Sequence, residues 1–234
     1  MATNKRWKKA QTYEKDWWKS RVDMISFDFY EEYAQDLKKQ INEFIRISPS
    51  TSILEIGSGA GGIVTYLKSD DRNAVDPLED FYGSVPVFQK QRDPDVNYQT
   101  ARAENLPFED QRFDLIICDN VLDHCENVKQ VIHEIQRTLR SGGMLYLRVN
   151  VYTFWGKWIR WIVEKLNIDP GHPYTFTGKS LFHLFKAQDL KVIKRESQGF
   201  SRTWFREIKS FKIKEWLKAL TFSTPNKTLF IAGK

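Results

Sequence analysis

The chain has 234 residues, 41% of them apolar, which is enough to bury one sizeable core, and a single α/β domain is the default for that length. It has no run of eighteen apolar residues, and its first twenty residues are polar, basic and aromatic, so neither a membrane span nor a signal peptide is expected and a soluble, cytoplasmic protein is. The net charge of +6 divides into +4 over residues 1–20, −8 over 21–150 and +10 over 151–234, an acidic middle between basic ends rather than the single basic stripe of a general nucleic-acid binder.

From Tyr30 to Ile47, apolar residues recur at helical spacing (Tyr33, Leu37, Ile41, Phe44, Ile45), and the pattern stops before Ser48-Pro49, as a helix does ahead of proline. Ile53–Ile56 reads as a short buried strand, Gly62–Leu67 as the opening of a helix, and Asn73–Val75 as a strand ending at Asp76-Pro77. Val96–Ala101 alternates, Phe113–Cys118 is almost wholly apolar, and Val128–Leu139 is amphipathic, with His133 inside it in a structural role. Cys118 and Cys125 form no CxxC pair and no His/Cys cluster has zinc spacing, so free thiols and no metal site are expected. Ser141-Gly142-Gly143 precedes a further apolar run, Met144–Val151. Strands that are apolar throughout and separated by helices indicate a parallel sheet covered on both faces. No internal repeat is visible.

Between the first strand and the following helix lies a glycine-dense turn. Gly57, Gly59 and Gly62 satisfy G-x-G-x-x-G, the dinucleotide fingerprint, and Asp76 lies nineteen residues after Gly57, where a ribose-binding acid belongs. The same stretch reads as E-x-G-x-G-x-G through Glu55, Gly57, Gly59 and Gly61. In both readings glycine lets the backbone approach a cofactor and a carboxylate receives the ribose hydroxyls, so local chemistry alone leaves both open.

The E-x-G-x-G-x-G reading, the run Ala103-Glu104-Asn105-Leu106-Pro107-Phe108-Glu109-Asp110, then Phe113–Cys118, Val121–Cys125 and Leu139–Leu145, resembles in order the motifs of the "type 11" group of class I S-adenosylmethionine (SAM) methyltransferases. That resemblance spans about residues 53–151. It implies a Rossmann-like, seven-stranded, mostly parallel sheet with an antiparallel last strand, helices on both faces and a helical lid. Leu190–Glu196 and Thr228–Ala232 would supply the closing antiparallel pair. The implied divisions within one domain are a lid over 1–47, a SAM-binding core over 48–151, an acceptor-cap insertion over 152–189, and C-terminal strands with a basic amphipathic segment over 190–234.

The resemblance further implies SAM as cofactor, with S-adenosylhomocysteine as its product. It places Gly57, Ser58, Gly59 and Gly61 against the methionine portion, Asp76 and Pro77 at the ribose, and Ala103 and Glu104 at the adenine. Asp119 and Asn120 would stand beside the amino group, Glu55 would orient the turn or reach that ammonium, and Tyr13 and Trp18 of the lid would close on the cofactor. Members of the group commonly carry an acid at the position of Arg102 to accept the adenine amino group, and an arginine cannot accept that bond. Backbone around Ala103, or Glu104, is then expected to take over.

Methyl transfer from a sulfonium needs alignment and, for a hydroxyl acceptor, a proton acceptor. An imidazole titrates near neutral pH, which makes His124 the first candidate, with His172 and Asp123 behind it. The expected acceptor is a small molecule methylated at oxygen, a sugar or natural product; a lipid or quinone, an RNA, and a non-catalytic SAM-binding or partner-binding module are the alternatives. Phe154, Trp158, Trp161, Ile162 and Leu166 share one helical face, and Trp204–Leu220 repeats the mixture of tryptophan and lysine. These segments read as helices packed on the core with solvated lysines, as membrane-surface contacts, or as the holder of an anionic acceptor.

Overall fold

A computed structural model describes residues 4–165, 174–210 and 212–234. Seven strands form one sheet: β1 (Ser52–Ile56), β2 (Asp71–Asp76), β3 (Asn97–Thr100), β4 (Phe113–Asp119), β5 (Leu139–Val151), β6 (Lys191–Ser197) and β7 (Asn226–Gly233), in the order β3-β2-β1-β4-β5-β7-β6. The first five are parallel, and β7 runs antiparallel to both β5 and β6. The expected architecture is therefore present, including the antiparallel closing pair.

Alternation along the central strands explains why both faces are covered. Leu54, Ile56, Ile116 and Cys118 point into one apolar layer with α5 (Val128–Thr138) and α7 (Gly178–Lys186). Ile53, Leu115 and Ile117 point into the other with α2 (Asp28–Ile41), Tyr82 and Phe88. Every residue of β1 is buried, as a strand sandwiched between two helical layers requires. Tyr82 and Phe88 belong to two short helices, α3 (Glu79–Tyr82) and α4 (Pro86–Gln89).

The strand order reverses between β1 and β4, because the chain runs outward through β2 and β3 before crossing back. In open α/β sheets this switch point, at the carboxyl ends of the strands, is where a ligand crevice forms. The N-terminal helix α1 (Asn4–Lys19) and α2 close over it.

Several expected boundaries moved. The helix expected from Gly62 is only a 3₁₀ turn, Ile63–Tyr66, because β2 begins at Asp71 and leaves no length for more. The helix expected over Tyr30–Ile47 starts at Asp28 and ends at Ile41. Strand β5 begins at Leu139 and includes the Ser141-Gly142-Gly143 turn as an irregular entry, where the register with β4 shifts. The amphipathic run Trp204–Leu220 is two helices, α8 (Phe200–Ile208) and α9 (Ile213–Leu220). Cys118 and Cys125 are buried free thiols, and burial holds both thiol pKa values above the usual range.

Helix α6 (Phe154–Lys165) reverses the expected facing. Phe154, Trp158 and Trp161 are exposed, whereas Gly156 and Arg160 turn inward. Gly156 sits against the Phe222 carbonyl, where a Cβ would come within 3.1 Å of the oxygen, and the Arg160 guanidinium lies 5.5 Å from the Tyr152 ring centroid.

Candidate cofactor site

The carboxyl ends of β1, β2 and β4 meet in a cavity of about 330 Å³. Glu55, Gly57, Ser58, Gly59, Asp76, Pro77, Asp119, Asn120, Trp18 and His124 all line it. Its wall also includes Gln11, Glu14, Tyr30, Tyr33, Asn150 and Lys227, none of which the motifs point to. A narrower cavity of about 40 Å³ continues from it, lined by Trp7, Arg102, Ala103, Glu104, Val75 and Pro77, with His124 and Gly57 shared between the two.

Gly57 begins the bend. It has φ +70°, and a Cβ there would lie 2.3 Å from Cγ2 of Val121, so no side chain can occupy the position without displacing Val121 in the loop after β4. Gly61 is needed for a different reason, since its Cβ would meet the Phe27 ring at 2.4 Å. The lid thus packs directly on bare backbone. The Tyr30 hydroxyl donates to the Ser58 carbonyl at 3.1 Å and tethers α2 to the same bend.

Glu55 closes the start of the turn that follows the bend. Its two carboxylate oxygens accept the backbone N–H groups of Ile63 (3.0 Å) and Val64 (2.7 Å), the first free donors of the turn that follows the glycines. In a dinucleotide site those donors face the pyrophosphate. Here a buried carboxyl accepts both, so a pyrophosphate at this place would find neither of those two donors free. Of the two roles expected for Glu55, the structure shows it orienting the turn. Burial raises its pKa to about 8, with the two backbone bonds opposing the shift.

Asp76 stands at the end of β2, where its carboxylate accepts Gly59 N–H at 3.0 Å and Leu78 N–H at 2.8 Å. Burial raises its pKa to about 7, and the nearby Glu14 and Glu79 add to the rise. Asp119, at the end of β4, is buried against Arg148, whose Nε lies 2.9 Å from each carboxylate oxygen; Arg148 also reaches Asp36 at 3.1 Å. Asn120 follows with φ +59°, donates its N–H to the Arg148 carbonyl at 2.7 Å, and accepts from Asn150 at 3.2 Å. Arg148 neutralises Asp119 and burial keeps Glu55 largely protonated at neutral pH, which leaves Asp76 and Glu14 as the acidic lining that faces a ligand with cationic centres.

The adenine edge departs from expectation in an informative way. The Arg102 guanidinium is pinned outward by Glu126 at 2.6 Å and by Glu104 at 3.4 Å, and it lies 4.1 Å from the Trp7 ring centroid. Glu104 is placed beside the narrow cavity, but one oxygen accepts the N–H groups of Glu126 (2.7 Å) and Asn127 (3.1 Å) and the other faces Arg102. Its lone pairs are largely committed to the loop, which favours backbone groups around Ala103 as the adenine contacts.

The candidate catalytic residues separate. His124 lies at the junction of the two cavities, with Nδ1 3.9 Å from the Glu14 carboxylate and Nε2 3.9 Å from that of Asp123. Asp123 is 3% exposed and lines neither cavity, so it stands behind the histidine. His172 lies outside the described residues. Tyr13 is 55% exposed and lines neither cavity, whereas Trp7, Gln11, Glu14 and Trp18 of the same helix do. Their spacing of four, three and four residues is one helical stripe, a signal the sequence offered and that Tyr13 does not share. His133 is exposed and bonds Gln188 at 3.2 Å, away from both cavities. Among the described residues, no side chain of 152–189 lines either cavity.

The sheet order is that of the class I SAM-dependent methyltransferases, and together with the similarities that follow it makes the protein a SAM-dependent methyltransferase. More particularly, residues 54–147 carry a domain matched by the methyltransferase-domain family model. The chain is 23% identical over 185 residues to a methyltransferase of Schizosaccharomyces pombe, covering 73% of each chain. It is 26% identical over 147 residues to the ubiquinone biosynthesis O-methyltransferase of Rickettsia typhi, covering 58% of this chain and 56% of the relative, so it spans about half of that enzyme's length. The crystal structure of geranyl diphosphate C-methyltransferase from Streptomyces coelicolor, in complex with Mg2+, geranyl diphosphate and S-adenosylhomocysteine, shares the fold with a TM-score of 0.64 at 13% identity, covering 90% of this chain and 85% of that one.

Proposed function

We propose that the protein moves the methyl group of SAM to a hydroxyl oxygen of a small-molecule acceptor, a sugar or natural product, releasing S-adenosylhomocysteine. The observation that carries this reading is the lining of the cavity. Besides the strand-end carboxylates and the glycine bend it includes Tyr33, Asn150 and Lys227, polar side chains that no cofactor motif accounts for and that would face an acceptor.

SAM supplies an activated methyl carbon, so the chain's own task is alignment and proton handling. Asp76 would receive the ribose hydroxyls, the Gly57–Gly59 backbone would lie against the methionine portion, and the narrow cavity beside Ala103 would take the adenine. His124 would take the acceptor's hydroxyl proton, and the carboxylates of Glu14 and Asp123, each 3.9 Å from a ring nitrogen, would stabilise the imidazolium that results. The lid of α1 and α2 would keep water from the methyl group. Lys227, whose pKa is lowered by burial and by the neighbouring Arg148, would favour an acceptor with an electron-rich or anionic group.

A second reading, methylation of a quinone or other lipid, is favoured by the exposed tryptophans of α6 and by the similarity to a ubiquinone biosynthesis O-methyltransferase. Both readings are tested by incubating the protein with methyl-labelled SAM and panels of hydroxylated sugars, phenols and quinols, then locating the label by NMR. Tight SAM binding with no labelled product from any panel would remove both and leave a SAM-binding module.

A further inference from the structure

Helices α6, α8 and α9 leave outside what helices usually bury. Phe154 is 87% exposed and Trp155, Trp158 and Trp161 are each about half exposed, while Arg160 on the same helix is buried. The three helices are joined: Gly156 of α6 sits on the Phe222 backbone, and Trp204 of α8 donates its Nε1–H to the Ala219 carbonyl of α9 at 2.9 Å. Ile213, Trp216, Leu217 and Leu220 of α9 are also exposed. An exposed apolar concentration of this kind marks an interaction surface rather than a solvated face.

The charge around it is mainly basic. Residues 200–222 contain six basic and two acidic side chains. One of the acids, Glu207, is buried and accepts the Thr224 hydroxyl at 2.6 Å, so the outward charge is almost wholly basic. Arg202, Arg206, Lys209 and Lys212 are exposed, as is Lys157 on α6. No helix among the described residues is long and apolar enough to cross a membrane.

We propose that α6, α8 and α9 together dock on an anionic lipid surface. The tryptophan, phenylalanine and leucine side chains enter the headgroup region, where amphipathic rings partition well, and the lysines and arginines meet the lipid phosphates. A second copy of the chain fits less well, because a two-fold contact would set this basic surface against itself. A single-stranded nucleic acid would engage the rings and the basic groups but leave Ile213, Leu217 and Leu220 in water. The surface lies close to the cavity lining in the chain: Asn150 precedes Phe154 by four residues and Lys227 follows Phe222 by five. Docking does not rest on the identity of the acceptor.

Co-sedimentation of the full chain with vesicles tests this. Vesicles of phosphatidylcholine and phosphatidylglycerol in equal amounts should retain the protein, and phosphatidylcholine vesicles should retain it far less. The doubly substituted Trp158→Ser/Leu217→Ser protein should bind the anionic vesicles at least roughly tenfold more weakly. Lys209→Glu and Lys212→Glu should each cost about fivefold, an effect that salt erases. Because all four side chains are exposed, unchanged melting temperature and SAM affinity would show that these variants fold. The proposal is overturned if wild-type protein stays in the supernatant, if the variants sediment like wild type, or if the Trp158 and Leu217 changes instead abolish self-association or RNA retention without any vesicle binding.

Discussion

The Arg102 guanidinium lies 4.1 Å from the ring centroid of Trp7, which joins the loop at the adenine edge to the first helix of the chain. Relatives of the type 11 group commonly use this position to accept a hydrogen bond from adenine; here the side chain instead fastens the lid, with Glu126 and Glu104 holding the guanidinium in place. A cation–ring contact of this kind contributes about 0.5–2 kcal/mol. Trp7→Ala should therefore weaken SAM binding by roughly three- to thirtyfold and make α1 more sensitive to limited proteolysis. Trp7→Phe should restore most of both, and equal proteolysis of all three proteins would show that the contact does not hold the lid.

Gly57→Ala should all but abolish cofactor binding. The added methyl group would overlap Val121, and the left-handed backbone itself costs a non-glycine residue about 1–2 kcal/mol. Val121→Ala in the same protein removes the overlap but not the backbone strain. Calorimetric titration with SAM should show partial recovery in the double variant, and full recovery would mean that the conformation carries no cost.

Asp76 makes SAM affinity depend on pH. Its pKa is raised to about 7, and ribose hydroxyls donate to the ionised form, so binding takes the protonated enzyme through loss of a proton below that pH. The dissociation constant should rise as pH falls from 8 to 6, approaching tenfold per unit at the acid end. Asp76→Asn should bind weakly and with little pH dependence, and a wild-type affinity that is flat over this range would separate Asp76 from the ribose.

Glu55 makes stability depend on pH in the opposite sense, through a different contact. Its folded pKa of about 8 lies above the ordinary carboxyl value of 4.5, so between these limits the folded protein holds a proton that the unfolded chain has released. Stability from this group is full below about pH 4.5 and declines as pH rises towards 8. The melting temperature of the ligand-free protein should fall over that range, and less so in Glu55→Gln. The glutamine variant should also be about 1–3 kcal/mol less stable at pH 8, because one of its amide N–H groups must face the Ile63 or Val64 donor.

His124→Ala should lower turnover about a hundredfold with a hydroxyl acceptor and leave SAM affinity nearly unchanged. Exogenous imidazole should restore part of the rate. Turnover equal to wild type would remove His124 from the proton path and leave alignment alone as the source of catalysis.

Much of this was legible in the residues themselves. The nearly unbroken apolar runs Ile53–Ile56 and Phe113–Cys118 placed the sheet between two helical layers, because burial on both faces demands apolar side chains along the strand, and that demand is local. The glycines of the bend and Asp76 at the next strand end were equally visible, since a left-handed turn and a strand terminus leave their mark within a few residues. What those residues would bind was not. Whether the turn's first N–H groups are open to a phosphate or closed by Glu55 depends on a side chain eight residues upstream folding back onto Ile63 and Val64. Which side of α6 faces inward was decided by what Gly156 and Arg160 meet in Phe222 and Tyr152, not by the spacing of its tryptophans. Lys227 joined the cavity only because β7 pairs it with Asn150, seventy-seven residues earlier. Periodicity records how much of a residue is buried; it carries no record of which partner buries it, and the cofactor site is made of partners.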